Sequence, residues 1–308
     1  MRLSNGHVLN HVDILCCISC QGNLIMQNGT WVCTVCKIRY PSEKDILLLA
    51  SPQTGNDVAL SESKWQILHK DHQIDTQNDI ELLINTSYIS FLSRYKNYIN
   101  NGYFLDLGCG VAWVSAHIAQ TGVTTIGIDI SREALKKSAR MFHKKNLHGS
   151  FIQGSLLQLP IKNNTINFIY SCMSLEYVKD TKQALTESYR VLKKGGIMVA
   201  IVPVVSFTTL TYHQTRGDIP GIPIVKQLME FIHIHILRGK YMKYGYEQSF
   251  TVGSLRSLFQ SAGFTVNKID FFPMYYPLAF LPRAWQPVAR RLLRHRFFWP
   301  LVYVETRK

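Results

Sequence analysis

At 308 residues the chain exceeds one average domain, and 46% hydrophobic residues suffice for a sizeable core. No apolar run approaches the ~20 residues that a membrane-spanning helix needs, which excludes insertion of that kind; no internal repeat or low-complexity tract interrupts the sequence. The formal net charge of +14 is the least expected global feature, and it is unevenly placed.

The first organised segment carries Cys17-x2-Cys20 and Cys33-x2-Cys36, two knuckles separated by twelve residues, a spacing that fits four thiolates around a tetrahedral zinc ion. A redox pair would stand alone, and a disulfide framework would need a secretory signal that Met1 to His7 does not offer. Thiolate ligation suits a reducing cytosol, so a cytoplasmic protein is expected. Cys16 adjoins Cys17, but the x2 spacing to Cys20 selects Cys17 as the ligand. Around the knuckles, Leu15-Cys16-Cys17-Ile18-Ser19-Cys20, Trp31-Val32-Cys33 and Tyr40-Pro41 to Ile46-Leu47-Leu48 resemble the Trm112-type zinc ribbons found beside or fused to methyltransferases, although Pro often stands there at the place of Ile18. A ribbon is expected over residues 1–50, then a linker and helical lead-in over 51–85.

Next, Phe104-Leu105-Asp106-Leu107-Gly108-Cys109-Gly110 breaks a short apolar strand into an Asp-x-Gly-x-Gly turn that opens a helix. The glycines let the backbone bend sharply and approach a nucleotide, while helix N–H groups point outward. Trp113 stands where a dinucleotide fingerprint has its third glycine, which disfavours NAD. A second strand, Thr124-Thr125-Ile126-Gly127-Ile128-Asp129, ends in a carboxylate where doubly wound folds bind a ribose diol.

These two strand ends resemble the first two motifs of the class I S-adenosylmethionine-dependent methyltransferases. Gln153-Gly154-Ser155-Leu156 is similar to their third motif, Asn167-Phe168-Ile169-Tyr170-Ser171 to their fourth strand, Leu175-Glu176-Tyr177-Val178-Lys179-Asp180 to their Leu-Glu-His-x-x-Asp, and Leu192-Lys193-Lys194-Gly195-Gly196 to the turn before strand five. The resemblance covers residues 90–205 and implies a doubly wound, mostly parallel seven-stranded sheet within a methyltransferase domain at 86–308. It implies S-adenosylmethionine as cofactor, with Asp129 accepting from the ribose hydroxyls, the Gly108 to Gly110 backbone around the methionine portion, and Asp106 orienting the turn and meeting the amino group. Ile130, Ser155, Leu156 and Ser171 complete the implied contacts. The family commonly has Asp where Ser155 stands, so the backbone around Leu156 is expected to carry more of the adenine recognition. Cys109 and Cys172 read as small buried hydrophobes.

Alternation places strands at 103–107, 124–129, 150–153, 166–171 and 196–203, with helices at 111–120, 132–145 and 180–192. Ser131 reads as an N-cap, with the basic residues from Arg132 to Lys145 on the solvated face. The stretch 206–250, with an apolar helix candidate at 224–237, is expected to cap the carboxyl ends of the sheet and form the substrate pocket. A helix from Thr251 to Gln260 follows, then strands at 264–269 and 301–305 forming a hairpin beside strand five, with 271–298 inserted between them. In that insertion Arg290, Arg291, Arg294 and Arg296 alternate with Leu292, Leu293, Phe297, Phe298 and Trp299. The pattern is compatible with peripheral contact to an anionic membrane, with a lipid-linked substrate, with a phosphate backbone, or with a helix packing its Leu face on the core.

A hydroxyl acceptor would need a general base, for which Glu176, His213 and Glu247 are the candidates. His233 and His235 diverge by ~200° on a helix and are not a metal pair. Trp65 and Trp113 are read as core, with the cofactor cleft as the alternative. The segment Ser171-Cys172-Met173-Ser174 lacks the Asn/Asp-Pro-Pro-aromatic signature of exocyclic base-amine enzymes, and no Pro-Cys pair suggests cytosine C5 chemistry. Glu176-Tyr177 resembles the type 11 branch, which implies a small-molecule or lipid-linked acceptor, with oxygen preferred to carbon or nitrogen. The rival enzyme reading is a ribosomal or transfer RNA methyltransferase; the noncatalytic one is a partner protein with a vestigial cofactor site.

Overall fold

The computed structural model describes residues 12–43, 46–49, 66, 84–204, 206, 250–273, 284–299 and 301–308. Nearly all of the cap at 206–250, its helix candidate at 224–237, and most of the lead-in at 51–85 therefore lie outside the described residues, as do Trp65, His213, His233, His235 and Glu247.

Strands β1 (Leu24–Gln27), β2 (Thr30–Cys33) and β3 (Arg39–Tyr40) form a small antiparallel sheet. Asn28 and Gly29 join the first two at φ 48° and 76°, the two-residue loop whose positive φ values match strand twist. Next come β4 (Ser42–Glu43) and β5 (Ile46–Leu48), which leave the ribbon for the large sheet. That sheet continues with β6 (Tyr103–Leu107), helix α1 (Trp113–Ala119), β7 (Thr124–Asp129), α2 (Arg132–Lys144), β8 (Gly149–Gln153), β9 (Ile166–Cys172), α3 (Thr181–Val191) and β10 (Leu192–Pro203). After the cap segment come α4 (Val252–Ser261), β11 (Thr265–Phe271), α5 (Gln286–Leu292) and β12 (Leu301–Arg307).

The order is β11-β12-β10-β9-β6-β7-β8-β5-β4, nine strands rather than the expected seven. The two extra strands come from the N-terminal segment: Ile46, Leu47 and Leu48 pair in parallel with Phe151, Ile152 and Gln153, and Ser42–Glu43 folds back antiparallel on β5. Periodicity could not reveal this, because three apolar residues in a cysteine-rich segment read equally well as the ribbon's own core. At the opposite edge β12 runs antiparallel to both β10 and β11, the expected hairpin. Strand β10 starts at Leu192, four residues before the expected 196, with a register shift between Leu192 and Ile197.

Sequence explains the layers. The central strands are apolar on both faces, so Phe168, Ile169, Met198, Val199 and Ala200 are all fully buried between helices. Helix α2 is capped by Ser131 Oγ, which accepts from the Ala134 N–H at 3.3 Å, and buries Ala134, Leu135, Ser138 and Phe142 at helical spacing. Trp113 is half-buried and packs on the aromatic cluster of Phe91, Tyr95, Phe104 and Phe168, as the core reading expects.

The ribbon shares one core with the large domain. Leu15, Ile18, Trp31 and Tyr40 belong to the same buried cluster as Leu159, Ile161, Leu175 and Leu185. Backbone bonds fasten it, with the Cys16 N–H donating to Pro160 O at 3.0 Å and the Lys162 N–H to Ile14 O at 2.8 Å. The Gln158 side-chain amide donates to the Ile18 carbonyl, and Arg132 pairs with Glu43. Between the ribbon and α3 lies a cavity of about 330 Å³, lined among others by Ile18, Gln21, Leu49, Gln158 and Arg190.

Candidate active site and metal centre

The glycine turn sits at the carboxyl end of β6. Gly108 and Gly110 have φ values of 70° and 51°, and Ala112, the residue before α1, is also left-handed at 55°. The N–H groups of Gly108 and Cys109 donate to the Ile128 carbonyl at 2.8 and 3.2 Å, which straps the turn to the neighbouring strand. Asp129, the last residue of β7, completes the junction: its Oδ2 accepts from the Gly110 N–H at 2.8 Å and its Oδ1 from the Ser131 N–H at 2.7 Å. A carboxylate offers about four acceptor positions, so two backbone donors do not saturate it. Ser138 Oγ donates to the Gly110 carbonyl at 3.0 Å, tying α2 to the same turn.

Asp106 lies beneath this surface, 4% exposed, and accepts from Ser115 Oγ at 2.6 Å. Burial pushes its carboxyl up to about 7; the Ser115 hydrogen bond works against this, and the negative charge of Asp129 adds to it. Beyond β8, the Gly154 N–H donates to the Asp129 carbonyl at 3.1 Å and Gln153 Nε2 to the Ile130 carbonyl at 3.1 Å, so three strand ends share one hydrogen-bonded rim. Ser155 Oγ accepts from the Leu157 N–H at 3.2 Å, closing a local turn beside Leu156.

Ser174 is a site residue that motif reading missed. Its hydroxyl donates to the Leu107 carbonyl at 3.0 Å and shares a 2.6 Å bond with Ser171, which is itself 1% exposed. A Cβ added at Gly108 would lie 2.4 Å from the Ser174 Cβ. The signal was present as the second Ser of Ser171-Cys172-Met173-Ser174, but nothing in one sequence says that this loop meets the glycine turn. Gly108→Ala is therefore expected to be strained twice, by a left-handed φ costing about 1–2 kcal/mol and by the Ser174 contact. A thermal melt and cofactor titration should show lower stability and at least tenfold weaker binding; wild-type values in both would mean that the turn relaxes freely.

Among the expected bases, Glu176 is described: it is fully buried in the short 3-10 turn Leu175–Tyr177 that follows β9. Nearby, burial pushes the Cys172 thiol up to about 12, opposed by hydrogen bonds from Tyr170 and Tyr88 and assisted by the charges of Glu176 and Asp106. Burial likewise holds the Cys109 thiol well above its ordinary value, and both half-buried cysteines pack against apolar clusters. His213 and Glu247 lie outside the described residues.

At the other end of the chain the Sγ atoms of Cys17, Cys20, Cys33 and Cys36 all lie within 4.8 Å of one another, and Cys16 is not among them. Cys17 and Cys36 are 3.5 Å apart and Cys20 and Cys33 3.4 Å, with no disulfide. Sulfurs about 2.3 Å from a tetrahedral zinc ion are about 3.8 Å apart, so the cluster has the right size. The two knuckles repeat one another. Gln21 and Lys37 follow them at φ 59° and 61°, and their N–H groups donate to the Cys17 and Cys33 carbonyls at 2.8 and 3.2 Å. Burial raises the Cys33 thiol, but the backbone N–H groups of Cys36 and Val35 outweigh it and bring it down to about 6, whereas, against the Ile38 N–H, hydrogen bonds with the other three cysteines push the Cys36 thiol up to about 12. Without a cation the four sulfurs share protons, and a metal would have to displace them.

A strand-end carboxylate bonded to a glycine turn at the end of the next strand defines a nucleotide site of an open, doubly wound α/β protein. A family profile described as Methyltransferase domain matches residues 105–200. The demethylmenaquinone methyltransferase of Listeria welshimeri serovar 6b is 30% identical over 178 residues, covering 52% of this chain and 69% of that protein. The malonyl-(acyl-carrier protein) O-methyltransferase of Hamiltonella defensa subsp. Acyrthosiphon pisum is 31% identical over 101 residues, covering 33% of this chain and only 38% of the relative. In fold, the chain is similar to a chain from the complex between the Haloferax volcanii Trm112 methyltransferase activator and a methyltransferase, with TM-score 0.50, 16% identity, and coverage of 79% and 96% respectively. The protein belongs to the class I S-adenosylmethionine-dependent methyltransferases. No described helix is long and apolar enough to cross a membrane.

Proposed function

We propose that the protein transfers the methyl group of S-adenosylmethionine to a small-molecule or lipid-linked acceptor, at oxygen, and that its ribbon holds one structural zinc ion. The observation that carries the reading is the Asp129 carboxylate bonded to the Gly110 N–H, which sets a diol acceptor beside the left-handed glycine turn. The names of the relatives, a demethylmenaquinone methyltransferase and a malonyl-(acyl-carrier protein) O-methyltransferase, support a small or carrier-borne acceptor.

The cofactor supplies a carbon already activated on a sulfonium, so the chain's work is to position the acceptor and exclude water. Asp129 holds the ribose hydroxyls. Gly108 and Gly110 admit the methionine portion, Asp106 faces its ammonium from below, and the Ser155–Leu156 turn with Ile130 borders the adenine. Ser171 acts through Ser174, which fixes the turn that Gly108 must meet. An acceptor hydroxyl passes its proton to Glu176, His213 or Glu247; Glu176 can serve only where acceptor entry opens its buried turn. Cys17, Cys20, Cys33 and Cys36 hold the zinc away from this chemistry.

Calorimetric titration with S-adenosylmethionine tests the first step, and failure to bind at millimolar cofactor would favour a vestigial site. Cell extracts incubated with isotope-labelled cofactor test the second. Label is expected in small molecules or lipids; label confined to RNA would overturn the acceptor class.

Asp106 gives a pH signature. Its folded value of about 7 lies above the ordinary ~3.9, so the folded chain binds one more proton than the unfolded chain between those values. Stability from this group is greatest below about pH 4 and declines as pH rises, reaching a lower plateau above about 7. Asp106→Asn is expected to remove that slope. An ammonium placed beside the carboxyl would drive its proton off, so cofactor uptake near pH 6 should release a proton, read by calorimetry in buffers of different ionisation enthalpy. Equal heats in all buffers would place the ammonium elsewhere.

A further inference from the structure

Among the described residues, helix α5 contributes none to a buried cluster, while its neighbour Leu293 is 5% exposed. Three apolar side chains at helical spacing, Trp285, Val288 and Leu292, form a stripe and are 63%, 51% and 49% exposed. Phe297, in the short turn that follows, is 55% exposed, with the Arg296 guanidinium 5.8 Å from its ring centre. Arg291, Arg294 and Arg296 are exposed around the stripe, and no Asp or Glu occurs between Asp270 and Glu305. A surface that exposes large apolar side chains inside an all-cationic frame matches the boundary of an anionic bilayer, where aliphatic groups enter the acyl region and arginines meet phosphates. A nucleic-acid backbone would use the arginines and stack on the aromatics, leaving Val288 and Leu292 without a role.

The placement adds direction. Phe271 pairs with Val302, Leu301 pairs with Pro203, and the Phe272 N–H donates to the Leu301 carbonyl at 3.0 Å. The segment therefore leaves the sheet where β10 ends, at the same carboxyl end that carries Asp129 and the glycine turn. We infer that α5 and the following Phe297 form a peripheral docking surface for an anionic lipid bilayer, which sets the mouth of the methyltransferase cleft against the membrane. The docking stands without the acceptor assignment; only its orientation toward a lipid-borne acceptor rests on the proposed function.

The test is sedimentation of the full chain with vesicles of equimolar phosphatidylcholine and phosphatidylglycerol, alongside phosphatidylcholine alone. Binding is expected to the anionic vesicles only and to weaken as added salt shortens the ~10 Å screening length. Arg291→Gln, Arg294→Gln and Arg296→Gln combined should lower affinity on the order of a hundredfold, at about fivefold per arginine. Trp285→Ser with Leu292→Ser should also lose most binding, while cofactor affinity stays at wild type in both variants. Full retention by the Trp285/Leu292 variant would reduce the surface to charge alone and overturn the docking mode. No sedimentation at low salt, displacement by bulk RNA, or pelleting without vesicles would overturn the lipid assignment in favour of solvent, RNA or self-association. Cofactor titration on the same samples shows separately whether the catalytic reading has failed.

Discussion

Cys33→Ser is expected to abolish metal binding and unfold the ribbon, with an effect well beyond the 0.5–3 kcal/mol, roughly, of an ordinary substitution. Four thiolates can contribute on the order of 10–16 kcal/mol of apparent binding energy to a small zinc module, and a segment this short builds little core unaided. The damage should spread, because Leu15, Ile18, Trp31 and Tyr40 share a cluster with Leu159, Ile161 and Leu185. Hydrogen exchange should lose protection in β1 and β2 first and then at the Cys16 and Lys162 amides that fasten the ribbon to the 158–162 segment. Elemental analysis of wild-type protein purified without chelator should find one zinc per chain. Absence of metal, or a protected ribbon in the variant, would refute the site.

Asp129→Ala is expected to cost about 2–3 kcal/mol of cofactor affinity, roughly thirty- to a hundred-and-fifty-fold, through loss of a charged acceptor of two hydroxyls. The same truncation removes the acceptor of the Gly110 and Ser131 N–H groups, so part of the loss would come from a loosened turn. Asp129→Asn separates the two, since it keeps one acceptor oxygen without the charge and should retain the melting temperature while losing much of the affinity. Unchanged binding in the Ala variant would mean that the acidic residue has been misassigned.

Local chemistry was legible where it depends on short spacing. The x2 spacing named Cys17 over Cys16, and the four converging thiols are the ones it named. The Asp106-Leu107-Gly108-Cys109-Gly110 turn and the strand ending at Asp129 appear where their sequence placed them, because positive φ at the glycines and an apolar run ending in a carboxylate are properties of a few consecutive residues. What escaped reading depends on contacts between distant segments. Ser174 meets Gly108 across 66 positions, and Leu47 pairs with Ile152 across the whole lead-in. Neither pairing leaves a trace in composition or period. Ser171, expected as a cofactor contact, is 1% exposed and bonded to Ser174, an arrangement that a motif does not carry.

The seam between β5 and β8 also governs what the chain does to other chains. Without it, β8 would be the last strand of a long parallel sheet and would offer its backbone as a template for growth by accretion. The seam ends instead in β4, only two residues long, preceded by Pro41 and guarded by the Glu43–Arg132 ion pair, a poor surface on which to add another strand. Detaching β5 from β8 would therefore uncover a sticky margin, and the material lost from solution should be ordered, edge-joined aggregate rather than merely unfolded protein. If the proposed zinc holds the ribbon in place, metal supply during synthesis would also act on solubility.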